Sequence, residues 1–384
     1  MNLFYVLPKK TYFCRGMRGR VSHAIGLGEA FSRNGVNTEI VSGPRAAEYF
    51  RYSSVSEVKP AALRVWTLSL LYKIKSICEN DRLAKKTILI RYASSNAWLV
   101  SFFLRKLSKK NTLLFGFEIN SLAYHQTLSA PHFVRRMLLF IERKVLEKAD
   151  FCYVVSEQLK SDLIGTSDNE PFASTIVVVP NGGPEPKQIR NVSHESEVGF
   201  NFAFFGIYQE YYDIDVVLEA FNQLSGRFED IKLNFYGDGP KKTAIKNAAT
   251  NNPNIVEHGR YKLDDLISTG LTSDSTALLL PFSEANDNQI RSPIKLFEYM
   301  CIGLPIVASD CPQISGVLKD RHDSLLVPNS DIASWVRVME EIYRDSNLRD
   351  NLRRNVINSY SSHTWQSRAQ TLFKFMNNTK HLGH

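Results

Sequence analysis

Short runs of β-branched and aromatic residues alternate with longer amphipathic segments along the whole chain. In the first half, the runs that predict strands are NLFYVL, NTEIVS, TILIR, TLLFGF, FCYVV and TIVVVP. Helix-like patterns separate them, for example SHAIGLGEAFSRNG, which ends in a glycine stop signal. Strands that alternate with helices are typical of parallel α/β architectures.

A second alternating series occupies the other half of the chain. Its predicted strands are FNFAFFG, KLNFYG, NIVEHG, ALLLPF and PIVAS, and a polar segment rich in Gly and Pro, residues 180–198, precedes them. We therefore expect an α/β protein of two Rossmann-like, doubly wound domains, residues 1–190 and 191–360, facing across a cleft. Ligands bind at the carboxyl ends of parallel strands, so each domain would offer that edge to the cleft. The last stretch, 361–384, predicts a helix that crosses back to the first domain.

Length and composition agree with this two-domain prediction. A chain of 384 residues exceeds one ordinary core, and 43% apolar with 22% charged residues indicates a folded protein. The five cysteines form no CxxC pair, which favours a reducing cytoplasm. The longest apolar stretch, 97–104, is less than half of the ~20 residues a membrane span needs. The charges of the first ten residues follow the apolar run, so this segment predicts a buried strand rather than a signal peptide.

Positive charge is concentrated in the first half. Residues 1–190 hold 28 Lys and Arg against 15 Asp and Glu, whereas the remainder holds 19 against 24. This asymmetry indicates an anionic partner for the first domain. No aromatic-basic RNA motif or helix-turn-helix signature is present, so an acidic membrane is favoured over nucleic acid. Basic amphipathic patterns near residues 64–76, 95–110 and 132–148 fit a headgroup interface, but helices that pack on a sheet give the same pattern.

The run RSPIKLFEYMCIGLPIVASD, residues 291–310, carries the most specific chemistry. Ser292 is expected to cap a helix whose first position is Pro293, and Gly303 is expected to end it. The free N–H groups and the dipole at such a helix start suit a diphosphate, to which Lys295 adds a point charge. Glu298 lies on the same helix face, where its carboxylate could accept hydrogen bonds from two hydroxyls of a ribose attached to that diphosphate. The alternative is a capped helix with a surface Lys–Glu pair.

This run resembles the donor-binding helix of the family-4 retaining glycosyltransferases, which have the GT-B fold and whose common form is S-P-x-K-x-x-E-Y-M-A-x-G-x-P-I-V-A. Supporting segments follow in the family's order over nearly the whole chain. They are GMRGRVSHAIGLGEAF, ERKVLEKADFCYVVSEQLKSDL, VPNGG, FFGIYQEYYDIDVVLEAF, NFYGDGP and VEHGRY.

The resemblance implies roles for matching positions. Backbone N–H groups of Ser292, Ile294 and Lys295, around Pro293, would hold the donor diphosphate, and Glu298 would bind the ribose. Gly19 would let the first loop approach the phosphates or the sugar, although a simple strand-to-helix turn explains it equally. The residues expected to flank the nucleobase are Gly237, Asp238, Gly239, Arg260 and Tyr261.

Two departures from the family pattern affect the expected chemistry. Ile290 stands where many members have an acidic residue, so a neighbour such as Asp287, Asn288 or Gln289 would supply the sugar contact. Ile207 and Tyr212 stand where many members have an Arg and a Lys that neutralise the diphosphate. The cations expected to replace this pair are Arg15, Arg18, Arg20, Arg291 and Lys295.

The strand TLLFGF leads into Glu118 and Asn120, at the edge that in the family lines the acceptor side. Both side chains are expected to position hydroxyls, with a structural cap on the following loop as the alternative. His23, within the first helix pattern, is interpreted as structural. Asp213 and Asp215 form a DxD pair in a first helical turn, where acids favour the dipole, and no His/Cys cluster has metal-ligand spacing. We expect neither a metal nor a cofactor.

The sequence thus predicts a hexosyltransferase that moves sugar from a UDP- or GDP-sugar to a glycan or lipid-linked acceptor with retention. We expect it on the cytoplasmic face of the plasma membrane, in surface polysaccharide biosynthesis. The main alternative, supported by the missing Arg/Lys pair, is a non-catalytic partner subunit that binds a nucleotide sugar. A dinucleotide oxidoreductase is disfavoured because the first βα turn has no GxGxxG.

Overall fold

The structure is a computed structural model of the 384-residue chain, and it describes residues 1–9, 12–13, 19–58, 66–80, 84–109, 113–127, 129–165, 170–185, 199–261, 275–283 and 290–379. The contacts divide the chain into two compact units. One consists of Met1–Gly182, Ile290–Ser292 and Trp365–His384, and the other of Gly183–Gln289 and Pro293–Thr364. The expected domain limits at residues 190 and 360 stay predictions beside this division.

The first unit is a parallel sheet with helices on both faces. Its strands are β1 Asn2–Val6, β2 Asn37–Ser42, β3 Ser54–Glu57, β4 Lys86–Arg91, β5 Leu113–Ile119, β6 Phe151–Val154 and β7 Ile176–Val178. Its helices are α1 Gly19–Arg33, α2 Trp66–Glu79, α3 Ala97–Ser108, α4 Ala123–Gln126, α5 His132–Leu146, α6 Glu157–Ile164 and α7 Glu170–Ser174. The strand order β3-β2-β1-β4-β5-β6-β7 is that of a doubly wound sheet, in which the winding direction reverses beside β1.

The second unit repeats this design. Its strands are β8 Phe200–Ile207, β9 Ile231–Asp238, β10 Ile255–Gly259, β11 Thr276–Leu280, β12 Ile306–Ser309 and β13 Leu325–Val327, in the order β10-β9-β8-β11-β12-β13. Its helices are α8 Ile214–Ser225, α9 Lys242–Asn251, α10 Ile294–Ile302, α11 Pro312–Ser315, α12 Ile332–Arg344 and α13 Ser346–Tyr360. All paired strands are parallel, so the predicted α/β class and the two Rossmann-like sheets are confirmed.

Hydrophobic runs explain the predicted strands, but two short strands were not predicted. β3 has the sequence SVSE and β13 is three residues long, and each lies at the edge of its sheet. An edge strand is paired on one side only and tolerates polar residues, so no apolar alternation marks β3. Among the described residues, no helix combines the length and apolar character needed to cross a bilayer.

The last described helix, α14 Trp365–Thr379, completes the first unit by packing on α1. The Trp365 ring lies over Gly26 of α1, where a Cβ atom would come within 2.3 Å of the indole nitrogen. Its ring also meets that of His23 edge-on at 5.0 Å. Trp365, Ala369, Leu372 and Met376 are all buried in one core with α1. A side chain at residue 26 would therefore separate the two helices.

We expect Gly26→Ala to lower the free energy of unfolding by about 1–3 kcal/mol, the usual cost of overpacking a core. Alanine is otherwise the better helix former by about 1 kcal/mol, so the sign of the change isolates the packing against Trp365. Urea denaturation measures the effect. Gly226→Ala is the control, since its Cβ would meet nothing closer than 3.8 Å. Equal stability of both variants would contradict the close packing.

Candidate functional site

Helix α10 follows β11 in the second unit and begins one residue later than its sequence predicts. Pro293 is the N-cap, with ψ at 114° in the extended region, and the helix starts at Ile294. The expectation that Ser292 caps the helix and Pro293 is its first residue is therefore wrong. The Ser292 hydroxyl instead accepts a hydrogen bond from the backbone N–H of Asn181, at 2.9 Å. Gly303, at φ 74°, ends the helix as predicted.

Apolar burial fixes α10 against the sheet. Leu296, Phe297, Tyr299 and Met300 are all buried in the core of the second unit. The Tyr299 hydroxyl accepts from the Phe205 N–H at 3.0 Å, and the two rings lie 4.3 Å apart. Since Phe205 is near the carboxyl end of β8, this contact sets the first turn of α10 beside that end. The residues between the buried positions, Lys295 and Glu298, then face the strand ends.

Lys295 is enclosed by one acid and two aromatic rings. Its Nζ lies 2.5 Å from Glu298 Oε2 and donates to the Tyr261 hydroxyl at 2.8 Å. It also lies 5.0 Å from the centre of the Phe205 ring, a cation–π contact. Burial alone would lower the pKa of Lys295, but the Glu298 charge and these hydrogen bonds outweigh it and raise the pKa. Lys295 is therefore a fixed positive charge at physiological pH.

Two glycines make room for this arrangement. A Cβ at Gly206 would lie 2.9 Å from Cε of Lys295, and a Cβ at Gly237 would lie 1.8 Å from the Gly206 carbonyl oxygen. Gly206 and Gly237 are register partners on β8 and β9. The aliphatic stem of Lys295 thus approaches the backbone of Gly206 so closely that any side chain at residue 206 would block it.

The predicted nucleobase side lies at the ends of β9 and β10. Asp238 accepts from Nε of Arg260 at 3.0 Å and from the N–H of Gly239 at 3.0 Å. The hydrogen bond from Arg260 is the main cause of a lowered pKa at Asp238. Arg260 is exposed, whereas its neighbour Tyr261 turns inward to Lys295. These residues stand together with Gly237 around one group of strand ends.

The two positions that lack the family's cations have different surroundings. Ile207, the last residue of β8, is 46% exposed, whereas Tyr212 is buried against Phe204 and Phe282. The Lys295 stem passes over Gly206, directly before Ile207. A cation is thus present beside the end of β8, although it comes from α10.

The DxD pair lies at the start of α8. Asp213 is its N-cap residue and accepts from the Ser330 hydroxyl, and Asp215 lies 2.5 Å from Nζ of Lys241. Within the described residues, no group of His, Cys, Asp and Glu is arranged to hold a metal ion. Each acid of the pair therefore has a local partner.

Glu118 of the first unit is fully buried and is the centre of a polar cluster. Its Oε1 lies 2.6 Å from Nη1 of Arg91 and 2.9 Å from Nε2 of His23, and Tyr5 donates to Oε2. Asn120 donates to Oε1 at 2.6 Å. Burial alone would raise the pKa of Glu118, but Arg91 and His23 overcome it and hold the pKa well below its usual range. Glu118 is therefore an ionised carboxylate whose oxygens are already occupied.

Some of the remaining predicted site residues lie within the described part of the chain, and others lie outside it. Gly19 is the first residue of α1, and the carbonyl oxygen of Arg20 accepts from the Tyr12 hydroxyl at 2.7 Å. The Arg20 guanidinium lies 5.5 Å from the Tyr12 ring. Arg291 is exposed and belongs to the first unit. The predicted residues that lie outside the described ranges are Arg15, Arg18, Asp287, Asn288 and Gln289.

The sequence did not single out Arg91 or Tyr5 as members of the Glu118 cluster. His23, interpreted as structural, is indeed buried and also lies 2.5 Å from Oδ1 of Asn181. The available signal was positional. Arg91 ends one predicted strand and Glu118 follows the next predicted strand along the chain. The carboxyl ends of parallel strands meet at one edge of a sheet. This signal predicts a contact between Arg91 and Glu118 only once the strand order, with β4 beside β5, is known.

We expect Glu118→Gln to lower the free energy of unfolding by about 3–5 kcal/mol at neutral pH, because Arg91 would stay buried without its counter-charge. A carboxyl with a depressed pKa stabilises the fold above its unfolded value of about 4.3 and loses that contribution as pH falls below it. The gap between wild type and variant should therefore stay constant from pH 8 to pH 5 and shrink in more acidic solution. Urea midpoints across this range measure it.

Glu142→Gln is the matched control. Glu142 is also buried, but it accepts from the Tyr92 hydroxyl and the Ala123 N–H, each at 2.8 Å, and burial raises its pKa. Neutralising it removes no salt bridge, so the loss should be smaller than for Glu118→Gln. A larger loss at Glu142 would contradict the role given to the Arg91 pair.

Solved structures of low sequence identity share this fold over the whole chain. Sucrose-phosphate synthase from Thermosynechococcus elongatus superposes with a TM-score of 0.71 at 14% identity, covering 100% of both chains. A glycosyltransferase from Rickettsia africae gives 0.72 at 12% identity, covering 99% of this chain and 98% of that one. Anabaena HepE in complex with UDP gives 0.69 at 10% identity, covering 98% and 100%. At these identities the likeness shows the fold.

Sequence comparison gives two further matches. A phosphatidyl-myo-inositol mannosyltransferase from Mycobacterium leprae is 27% identical over 195 residues, which cover 50% of each protein. The chain therefore matches about half the length of this relative. Residues 199–345, which include the α10 site, match the family model described as Glycosyl transferases group 1. These matches support a glycosyltransferase of the family-4 type with the GT-B fold, the family that the donor-helix sequence resembles.

Proposed function

We propose that this protein transfers a hexosyl group from a UDP- or GDP-sugar to a glycan or lipid-linked acceptor, with retention and without a metal ion. The observation that carries the proposal is the group Lys295, Glu298 and Tyr261 at the start of α10, beside the carboxyl end of β8. The setting that we propose is surface polysaccharide biosynthesis, with the protein peripheral on the inner face of the plasma membrane.

The start of α10 suits a diphosphate. The first N–H groups of a helix have no partner within it, and here they belong to Ile294 and Lys295. Together with the helix dipole they form an anion site, to which Lys295 adds a full charge. A nucleoside diphosphate gains negative charge as the glycosidic bond breaks. Fixed positive charge at that position stabilises the transition state more than the bound donor.

The pair of Lys295 and Glu298 suits an exchange of partners when the donor binds. Without ligand, the two charges compensate each other at 2.5 Å, with the side chains 13% and 24% exposed. With donor, Lys295 would turn to the phosphates and Glu298 would accept from the ribose hydroxyls. Each buried charge keeps a partner in both states, so neither state bears the large cost of an uncompensated ion.

Lys295 would also compensate for the Arg/Lys pair of the family, which is replaced here by Ile207 and Tyr212. Its stem lies over Gly206, so its charge stands near the position where a residue-207 cation would act. Arg20, which has an Nε atom that is buried without a hydrogen bond, stays a prediction for this role. Arg18 and Arg291 remain predictions for this role.

The acceptor side stays a prediction at Glu118, Asn120 and Asp287. The contacts of Glu118 favour a positioning role, because Arg91, His23 and Tyr5 already occupy its oxygens. Related folds support a nucleotide-sugar donor, since Anabaena HepE has been solved with UDP-glucose and Staphylococcus aureus TarM with UDP. The relative from Mycobacterium leprae is named a mannosyltransferase, which agrees with a hexosyl group.

A non-catalytic subunit that binds a nucleotide sugar is the second candidate. The observation in its favour is that Ile207 and Tyr212 are both uncharged, and Tyr212 is buried and cannot be exchanged for a lysine without repacking. Such a protein would bind the donor through α10 and release no nucleotide. The two candidates share the site and differ in turnover.

We expect Lys295→Ala to weaken binding of the donor or of free UDP or GDP by roughly tenfold to a hundredfold, the loss expected for a charge-assisted hydrogen bond. Glu298→Gln should weaken nucleotide binding, because the ribose contact is lost, without weakening the binding of inorganic pyrophosphate, since the competing charge beside Lys295 is removed. Calorimetric titration measures both. Lys241→Ala is the control, because that lysine is bonded to Asp215 at the start of α8. Unchanged binding in Lys295→Ala and Glu298→Gln would overturn the donor site.

A panel of UDP-, GDP- and other sugar donors, with and without acceptor, separates the candidates. Nucleotide release that depends on acceptor supports transfer, and the anomeric configuration of the product tests retention. Tight donor binding without release supports the partner subunit. Release that persists after exhaustive chelation supports the metal-independent reaction, and loss of release under chelation contradicts it.

A further inference from the structure

Exposed apolar side chains of the described residues cluster on one part of the first unit. Eight of the eleven large exposed ones belong to the three helices α2, α3 and α5. They are Leu68, Tyr72, Trp98, Phe102, Phe133, Met137, Phe140 and Ile141. α3 contacts both α2 and α5, and all three cover the same core. We call this surface the three-helix face.

Each of these helices shows a buried side to the sheet and an exposed apolar side to solvent. On α3, Val100 and Leu104 are buried, whereas Trp98 and Phe102 are each 61% exposed. On α5, Phe133 is 73% exposed and Phe140 is 59% exposed. Packing on the sheet thus accounts for one stripe of each helix and leaves the second stripe unexplained. An exposed apolar patch of this kind marks an interaction site.

The charge on the three-helix face is positive. Its exposed cations are Lys75, Arg105, Lys106, Arg136 and Lys144. Three of them form surface ion pairs, Lys75 with Glu79, Arg105 with Asp150 and Lys144 with Glu147, and surface pairs of this kind are weak in water. Glu79 is the exposed acid on these helices, and the other acid, Glu142, is buried. Protein–protein interfaces are depleted in lysine at their centres, whereas aromatic rings mixed with Lys and Arg are typical of helices in a lipid headgroup region.

Helix direction orders the surface further. A helix that joins parallel strands runs opposite to them, so the first residues of α2 and α3 lie toward the carboxyl ends of the strands. On both helices the exposed apolar residues come first and the cations follow, as in Trp98, Phe102, Arg105 and Lys106. The apolar part therefore lies toward the edge of the sheet at which Arg91 and Glu118 end their strands.

We propose that the three-helix face is the surface on which the protein lies against a bilayer containing anionic lipids. The apolar side chains would enter the boundary between headgroups and acyl chains, and the five cations would contact lipid phosphates. This orientation holds the carboxyl edge of the first sheet at the membrane, where an acceptor with a lipid anchor is presented. The link to the acceptor rests on the proposed function; the binding surface itself does not.

Flotation of the full chain with vesicles tests the surface. Vesicles of phosphatidylcholine mixed with phosphatidylglycerol should bind the protein at low salt, and binding should fall as salt rises. The double variants Trp98→Ser/Phe102→Ser and Phe133→Ser/Phe140→Ser should each bind about tenfold more weakly. Lys106→Glu/Lys144→Glu should lose the preference for anionic over pure phosphatidylcholine vesicles. Ile357→Ser, which changes a 50% exposed residue of α13, should bind like wild type.

Trp98 gives a local readout. Its emission should shift to shorter wavelength when phosphatidylglycerol vesicles are added, and the shift should vanish in Trp98→Phe while flotation persists. Thermal denaturation of each variant establishes that its fold is intact. Absence of vesicle binding at low salt, or equal binding of wild type and the face variants, overturns the proposal. A dimer that the Phe133→Ser/Phe140→Ser change dissociates would identify a second copy as the occupant and overturn it as well.

The test is independent of the proposed transfer. Nucleotide release with a water-soluble acceptor should be the same in the face variants as in wild type. Vesicle binding without nucleotide release would leave the surface in place and remove the transferase. Nucleotide release without vesicle binding would support the transferase and overturn the membrane surface.

Discussion

The close approach of Lys295 to the end of β8 is the constraint on which the candidate site depends. A lysine that is almost enclosed must keep a counter-charge, and Glu298 supplies it from the same face of α10. The stem reaches that position because Gly206 has no side chain, and Gly206 in turn lies against Gly237. A charge, its partner and the two strand ends are therefore held as one unit. Losing either glycine would disturb the ion pair without touching its charges.

Much of the fold follows from the periodicity of the sequence. Buried strands such as TILIR and FCYVV are continuous apolar runs, as expected where helices cover both faces of a parallel sheet. The edge strands β3 and β13 were not predicted, because β3 (SVSE) has no apolar run and β13 (LLV) is only three residues long. The start of α10 was misplaced by one residue, since the sequence shows a serine before a proline but not the Asn181 N–H that binds that serine. Tertiary contacts overrode a local signal.

The site could be predicted as far as its chemistry is local. Lys295 and Glu298 are three residues apart on one helix, and that spacing alone brings them together. The Glu118 cluster is different, because His23, Arg91 and Tyr5 come from separate segments and meet only through the strand order. The strand order therefore decides which side chains neutralise Glu118, and the sequence alone does not give that order.

The packing of Trp365 over Gly26 has a consequence for biosynthesis. The first unit needs α14 to complete its core, yet the ribosome makes α14 only after all six strands of the second sheet. Domains usually fold as they emerge, beginning with the first. Here the nascent first sheet would wait, with one side of α1 uncovered, until the second sheet had been synthesised. Completion of the first core thus depends on synthesis of the second half.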